Sequence, residues 1–116
     1  MVCLHHLATG ELLALVNSAT VTAWRTGLSA ALGTHALARP DATAVAVIGA
    51  GARAELVLRG LAALRPLGHL LVNDLDPGRA ASFARRHGTT GPGISSEVIR
   101  DAATAARSAD IVTLAT

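Results

Sequence analysis

Residues 44–55 read AVAVIGAGARAE. Five apolar residues run without interruption, two glycines follow one residue apart, and a helix-forming stretch comes next. A strand that is apolar at every position is covered on both faces, as in a parallel sheet flanked by helices. The glycines then set the exit. Gly49 permits the tight turn off the strand, and Gly51 lets backbone come close to a pyrophosphate. Ala54 stands where a third glycine would keep helix and sheet close, so GAGARA fits G-x-G-x-x-A. Amides at the start of the helix and its dipole would hold the phosphates. The competing reading is a tight strand–helix corner with no ligand.

The flanking sequence supports a doubly wound order. Thr43 to Ile48 is the first buried strand, and Ala52 to about Leu64 is a helix stopped by Pro66. Leu70 to Asp74 is a second buried strand. Pro77 to His87 is a helix, with Asp76 as its cap and Pro77 in its first turn. His87 to Ser96 reads as a glycine-rich loop with room for a short third strand whose position the pattern does not fix. Glu97 to Arg107 reads as a helix capped by Ser95–Ser96–Glu97, and Asp110 to Ala115 as a further strand. The expected fold class is therefore α/β, a partial Rossmann-type doubly wound parallel sheet.

Ahead of it lie a hairpin and a long helix. Val2 to Leu7 and Leu12 to Val16 are apolar runs separated by ATGE. A hairpin of this size is marginal in water and wants a larger sheet. From Ser18, a candidate cap, to about Leu37 the pattern turns helical. Val21, Trp24, Leu28, Ala31, Leu32 and His35 fall on one stripe. ARPD, at 38–41, ends that helix and marks the boundary between residues 1–40 and 41–116.

Asp74 ends the second strand at about the spacing, roughly 20 residues, at which an acid follows such a turn. A carboxylate there accepts hydrogen bonds from the adenosine ribose hydroxyls and repels a 2′-phosphate, which favours NAD over NADP. The alternative is a solvated or capping aspartate. Arg25 lies on the flank of the helical stripe, roughly 70° from its centre at about 100° per residue. Its planar fork suits a carboxylate or phosphate, and a snorkelling surface arginine is an equal reading.

Composition closes off other classes. Half of the chain is apolar (51%) and 16% is charged, unlike a disordered chain. All 10 basic residues are arginine, and they are scattered, so the high pI is no argument for nucleic acid. No lysine means no Schiff-base or acid–base lysine in this chain. A lone cysteine, Cys3, excludes an internal disulfide, reads as a small buried hydrophobe, and suits a cytoplasmic setting. No apolar run approaches a membrane span, and the start lacks a basic n-region. His5 and His6, adjacent on a strand, point to opposite faces and are taken as structural, with no metal expected.

The segments LHHLATGELLALVNSATVTAWRTGLSAALGTHALARP, VAVIGAGARAE, VNDLDP and ADIVTLAT, in that order, resemble the ornithine cyclodeaminase/mu-crystallin family. LATGELLAL and the RTG segment are the more specific pieces; the glycine turn fits many families. The resemblance implies a substrate-and-dimerisation domain before a Rossmann domain, NAD(H) or NADP(H), and an amino-acid or cyclic-imine substrate. Ornithine cyclodeamination, alanine dehydrogenation and ketimine reduction are the activities it implies, with a homodimer for a full-length relative and neither membrane nor nucleic acid as partner.

By position, Arg25 matches the family's arginine for the substrate carboxylate. Gly49, Gly51, Ala52 and Arg53 match the pyrophosphate turn, Asp74 the ribose acid, and Thr116 a cofactor-contacting threonine at a strand end. Arg53 stands where many members carry glutamine, and His6 and Asn17–Ser18 depart from the usual Asp and Asp–Gly. The family's lysine would lie before Met1 and its catalytic aspartate after Thr116. The chain thus reads as an internal fragment with no catalytic residue of its own and little or no turnover. The alternative is a non-catalytic NAD-binding or interaction fragment.

Overall fold

The computed structural model describes residues 1–88 and 93–116. The loop expected over 87–96 falls partly on residues 89–92, outside the described residues.

A hairpin opens the chain. Strands β1 (Val2–His5) and β2 (Leu12–Val16) pair antiparallel, and Gly10 turns with a φ of 72°. His6 is not in the strand. Its backbone N–H donates to Glu11 O and its carbonyl accepts from Gly10 N, so it closes the turn. The pleat argument that set His5 and His6 on opposite faces therefore does not apply. Cys3 is exposed rather than buried, because nothing among the described residues covers the hairpin.

Helix α1 (Ser18–Leu37) follows. Its cap is Asn17, whose Oδ1 accepts from Ala19 N at 3.0 Å; Ser18, the expected cap, is already helical. The face that packs is also not the large apolar stripe. Only Gly27 and Ala31 are buried on α1, whereas Trp24 and Leu32 keep 48% and 58% of their surface exposed. Small residues win because they admit close backbone approach to helix α2 (Ala52–Leu64). A Cβ at Gly27 would sit 2.5 Å from the Leu56 Cβ, and one at Gly60 would sit 2.6 Å from the Ala31 Cβ.

The remaining elements form one parallel sheet in the order β5-β4-β3-β6. These are β3 (Ala44–Ile48), β4 (His69–Asn73), β5 (Ser95–Val98) and β6 (Ile111–Leu114), joined through α2, α3 (Pro77–Gly88) and α4 (Ala102–Arg107). Val45, Val47, Leu70 and Val72 pack under α2 and α3, around the fully buried Leu61 and Phe83. Ala46 and Leu71 face the other way, toward Ala105 of α4. Helices thus cover both faces, and the doubly wound expectation holds.

A further expectation fails. Ser95–Ser96–Glu97 is no helix cap but most of edge strand β5, with all four residues exposed. The helix begins later, at Ala102, capped by Asp101 through Thr104 N at 2.8 Å.

The segment between α1 and β3 is pinned at the sheet's lower edge. Asp110 Oδ2 accepts from Thr43 N and Ala44 N at 3.1 and 3.0 Å, and its Oδ1 pairs with Arg39 at 2.8 Å. Arg65, at the end of α2 and only 7% exposed, donates through Nη2 to the carbonyls of Arg39 and Pro40.

Candidate functional site

β3 pairs with β4 on one side and with β6 on the other, so connections leave it in opposite directions. A crevice beyond the carboxyl ends of the strands is where such sheets bind ligands. The structure has a cleft there. Ile48, Gly49, Gly51, Ala52 and Arg53 line one wall, Asn73 to Asp76 and Arg79 another, and Ala102, Ala115 and Thr116 the far side.

The two glycines of the turn have different physical reasons. Gly49 has a φ of 93°, and a Cβ there would lie 2.9 Å from the backbone of Ala115 and Thr116. It is required by the turn and by the chain leaving β6. Gly51 has an ordinary extended φ of −93°, and a Cβ there would meet nothing within 4 Å. Protein packing does not demand a glycine at this position. Its bare backbone faces the cleft, and it caps α2 with no side chain among the described residues taking up the first-turn amides. Those amides are an unfilled set of donors. Ala54 is fully buried, as close helix–sheet packing requires.

Asp74 is tied into this turn. Its Oδ2 accepts from Ala50 N at 2.7 Å and its Oδ1 from Asp76 N at 2.9 Å. These two amides, helped by the charge of Arg79, outweigh partial burial and hold the carboxyl below the usual aspartate range. The carboxylate is therefore ionised and fixed in direction. Asp76 caps α3 as expected, accepting from Gly78 N and Arg79 N at 2.8 and 3.2 Å. Asn73 was not foreseen. Its Nδ2 donates to Ile99 O and Arg100 O at 2.8 and 3.0 Å and braces the cleft's floor against the loop after β5.

Gly49, Gly51, Ala52, Arg53, Asp74 and Thr116 thus meet at one cleft, as the sequence suggested. Arg25 does not join them. It is exposed, roughly 160° around α1 from Gly27 at about 100° per residue, and Ala23 is the α1 residue that lines the cleft. Arg79 is the cation that sequence reasoning passed over. Its position on the first turn after the strand-end acid was the available signal.

Residues 1–116 match the family described as "Ornithine cyclodeaminase/mu-crystallin family". The chain belongs to this family. Among family relatives, the L-lysine cyclodeaminase of Streptomyces rapamycinicus is 40% identical over 104 residues, covering 90% of this chain and 29% of that protein. The structure of Thermococcus litoralis Delta(1)-pyrroline-2-carboxylate reductase, in complex with NADH and L-proline, superposes with a TM-score of 0.85 at 33% identity. It covers 98% of this chain and 35% of that one. An archaeal alanine dehydrogenase dimer with bound NAD gives a TM-score of 0.86 at 27% identity, covering 98% and 34%. The chain therefore spans about a third of the length of these relatives. Its α/β fold, built on a parallel sheet of four strands, is like that of their Rossmann-like domains.

Proposed function

We propose that this chain carries the dinucleotide-binding turn and part of the substrate domain of an enzyme that acts on amino acids or cyclic imines by NAD(H)-dependent hydride transfer. The observation that carries the proposal is Gly51, a glycine that neither φ nor packing explains, beside an oriented and ionised Asp74. The cleft fits the group: open backbone and first-turn amides for a pyrophosphate, with Arg53 at its wall, and a fixed acceptor for ribose hydroxyls. When bound, a nicotinamide dinucleotide supplies hydride acceptance and return. The chain's own residues bind and orient it, Asp74 at the ribose and Gly49 to Arg53 at the phosphates. Asp74 favours NAD over NADP.

L-lysine, for which one relative is named, and L-proline, bound in the structure of another, support a small amino acid or cyclic imine as the substrate class. Arg25 is assigned to its carboxylate on the family resemblance. A homodimer of the whole protein belongs to the same reading, supported by the apolar residues Leu4, Leu12 and Leu15 that the hairpin leaves exposed.

A second reading is a non-catalytic NAD-binding fragment. It is favoured by Arg25, which the helix phase of α1 turns away from the cleft. Titrating the chain with NADH, then assaying ornithine, alanine and a cyclic imine, separates the two. Turnover that Arg25→Ala abolishes supports the enzyme; NADH binding without turnover supports the second reading. Absence of NADH binding by a cooperatively folded chain refutes both.

A further inference from the structure

The cleft contains a cation to which the proposed function gives no role. Arg79 lies on the first turn of α3 and lines the cleft beside Asp74 and Asp76. Its backbone N–H is used by the Asp76 cap, but its exposed guanidinium forms no hydrogen bond or ion pair with any described residue. It shares this with Arg53, which also lines the cleft, and with Arg100, and differs from four other arginines of the sheet domain. Arg39, Arg59, Arg65 and Arg107 are each held by a carboxylate or a carbonyl. Arg79 has two carboxylates nearby, yet those are committed to backbone amides: Asp74 to Ala50 and Asp76, and Asp76 to Gly78 and Arg79 itself. Its fork is left facing the cleft at the end where Asp74 would meet the ribose.

A ribose with free 2′- and 3′-hydroxyls needs acceptors, and each Asp74 oxygen keeps a lone pair beyond its amide. A 2′-phosphate needs the opposite, a cation with several donors in a plane, which a guanidinium provides. We infer that Arg79 is a cofactor-specificity residue that takes the 2′-phosphate of a phosphorylated dinucleotide, so that the cleft accepts NADP(H) as well as NAD(H), with Asp74 setting the preference for the unphosphorylated form. This rests on the proposed reading of the cleft as a dinucleotide site. A solvated arginine with no ligand role is the competing explanation, and it makes different predictions.

The test is equilibrium titration of the full chain with NADH and NADPH, followed by nicotinamide fluorescence, for the wild type, Arg79→Ala, Arg79→Lys, Asp74→Asn and the Asp74→Asn/Arg79→Ala double variant. The wild type should bind NADH more tightly than NADPH. Arg79→Ala should weaken NADPH by about tenfold or more, as loss of a charge-assisted bond implies, and should leave NADH nearly unchanged. Arg79→Lys should restore part of the loss. Asp74→Asn should tighten NADPH, and the gain should vanish in the double variant. The NADPH advantage of Arg79 should also shrink as salt is raised. Equal losses for both nucleotides in Arg79→Ala, or an Asp74→Asn gain that survives removal of Arg79, overturns the inference and leaves the dinucleotide site standing. If the folded chain binds neither nucleotide, the proposed function fails first and the role of Arg79 fails with it.

Discussion

The carboxylate of Asp74, at the end of β4, accepts the amide proton of Ala50, in the middle of the turn that follows β3, at 2.7 Å. The strand-end acid is therefore part of the glycine turn as well as a neighbour of it. Replacing it should be felt in two places. Asp74→Ala is expected to weaken NADH by about 10- to 100-fold, since acceptors for ribose hydroxyls and for Ala50 N are lost together. Asp74→Asn, which keeps one acceptor, should lose less. Fluorescence titration of NADH checks both.

The two glycines of the turn should separate cleanly on substitution. Gly49→Ala places a side chain on a residue with φ of 93° and against the Ala115–Thr116 backbone. It should destabilise the fold by about 2 kcal/mol or more, since a non-glycine residue held in such a conformation alone costs about 1–3 kcal/mol. Gly51→Ala meets open space, so thermal melting should scarcely move while NADH affinity falls. A Gly51→Ala chain that binds NADH as well as the wild type would remove the observation on which the proposed function rests.

The contact between α1 and α2 should be intolerant of added volume. Gly27→Ala and Gly60→Ala each push a methyl within about 2.6 Å of a neighbouring Cβ, at Leu56 and Ala31 respectively. Overpacking of this kind costs about 1–3 kcal/mol, which more than cancels the helix-propensity gain of roughly 1 kcal/mol from replacing glycine. Urea denaturation should show lower midpoints for both variants. A higher midpoint would mean that the two helices have room to separate.

Acid should loosen the protein through carboxylates held below their ordinary range. Burial pushes the Glu55 carboxyl up, but its bond to His87 at 2.9 Å and the charges of His87 and Arg59 outweigh it. The amides of Ala44 and Thr43, with Arg39, do the same for Asp110. A carboxyl whose pKa is lower folded than unfolded adds stability above the unfolded value, and that stability is lost as pH falls toward the folded one. The melting temperature should therefore decline below about pH 4.5, where unfolded carboxylates begin to take up protons. Asp110→Asn and Glu55→Gln should each melt lower at neutral pH and show a shallower decline in acid.

Much of the fold was legible because burial imposes a pattern. Val45, Val47, Leu70 and Val72 had to be apolar to sit under α2 and α3, and the glycine turn announced itself by residue type. What escaped had no apolar signature. β5 is SSEV, exposed throughout, and it is a strand only because β4 offers an edge to pair with. Its serine–serine–glutamate run imitates a helix cap. On α1 the buried face consists of Gly27 and Ala31, which hydropathy scarcely registers, so the larger exposed stripe drew the assignment. Arg25 shows the same limit at the site. Its chemistry suits a substrate carboxylate, but the helix phase that turns it from the cleft follows from where α2 docks.

The backbone of Ala115 and Thr116 fills the space where a side chain on Gly49 would stand. These residues follow a strand whose Thr113 hydroxyl donates to Ala46 O, 67 positions away in the chain. Closing so long a loop is slow compared with forming the adjacent β3–α2–β4 unit. The glycine turn can form early, but its final shape must wait until β6 docks. Pulse-labelling hydrogen exchange should find the Ala115 amide, which donates to Ile48 O, protected later in refolding than the β3–β4 amides. The corner around Gly49 would then be among the last parts of this sheet to mature.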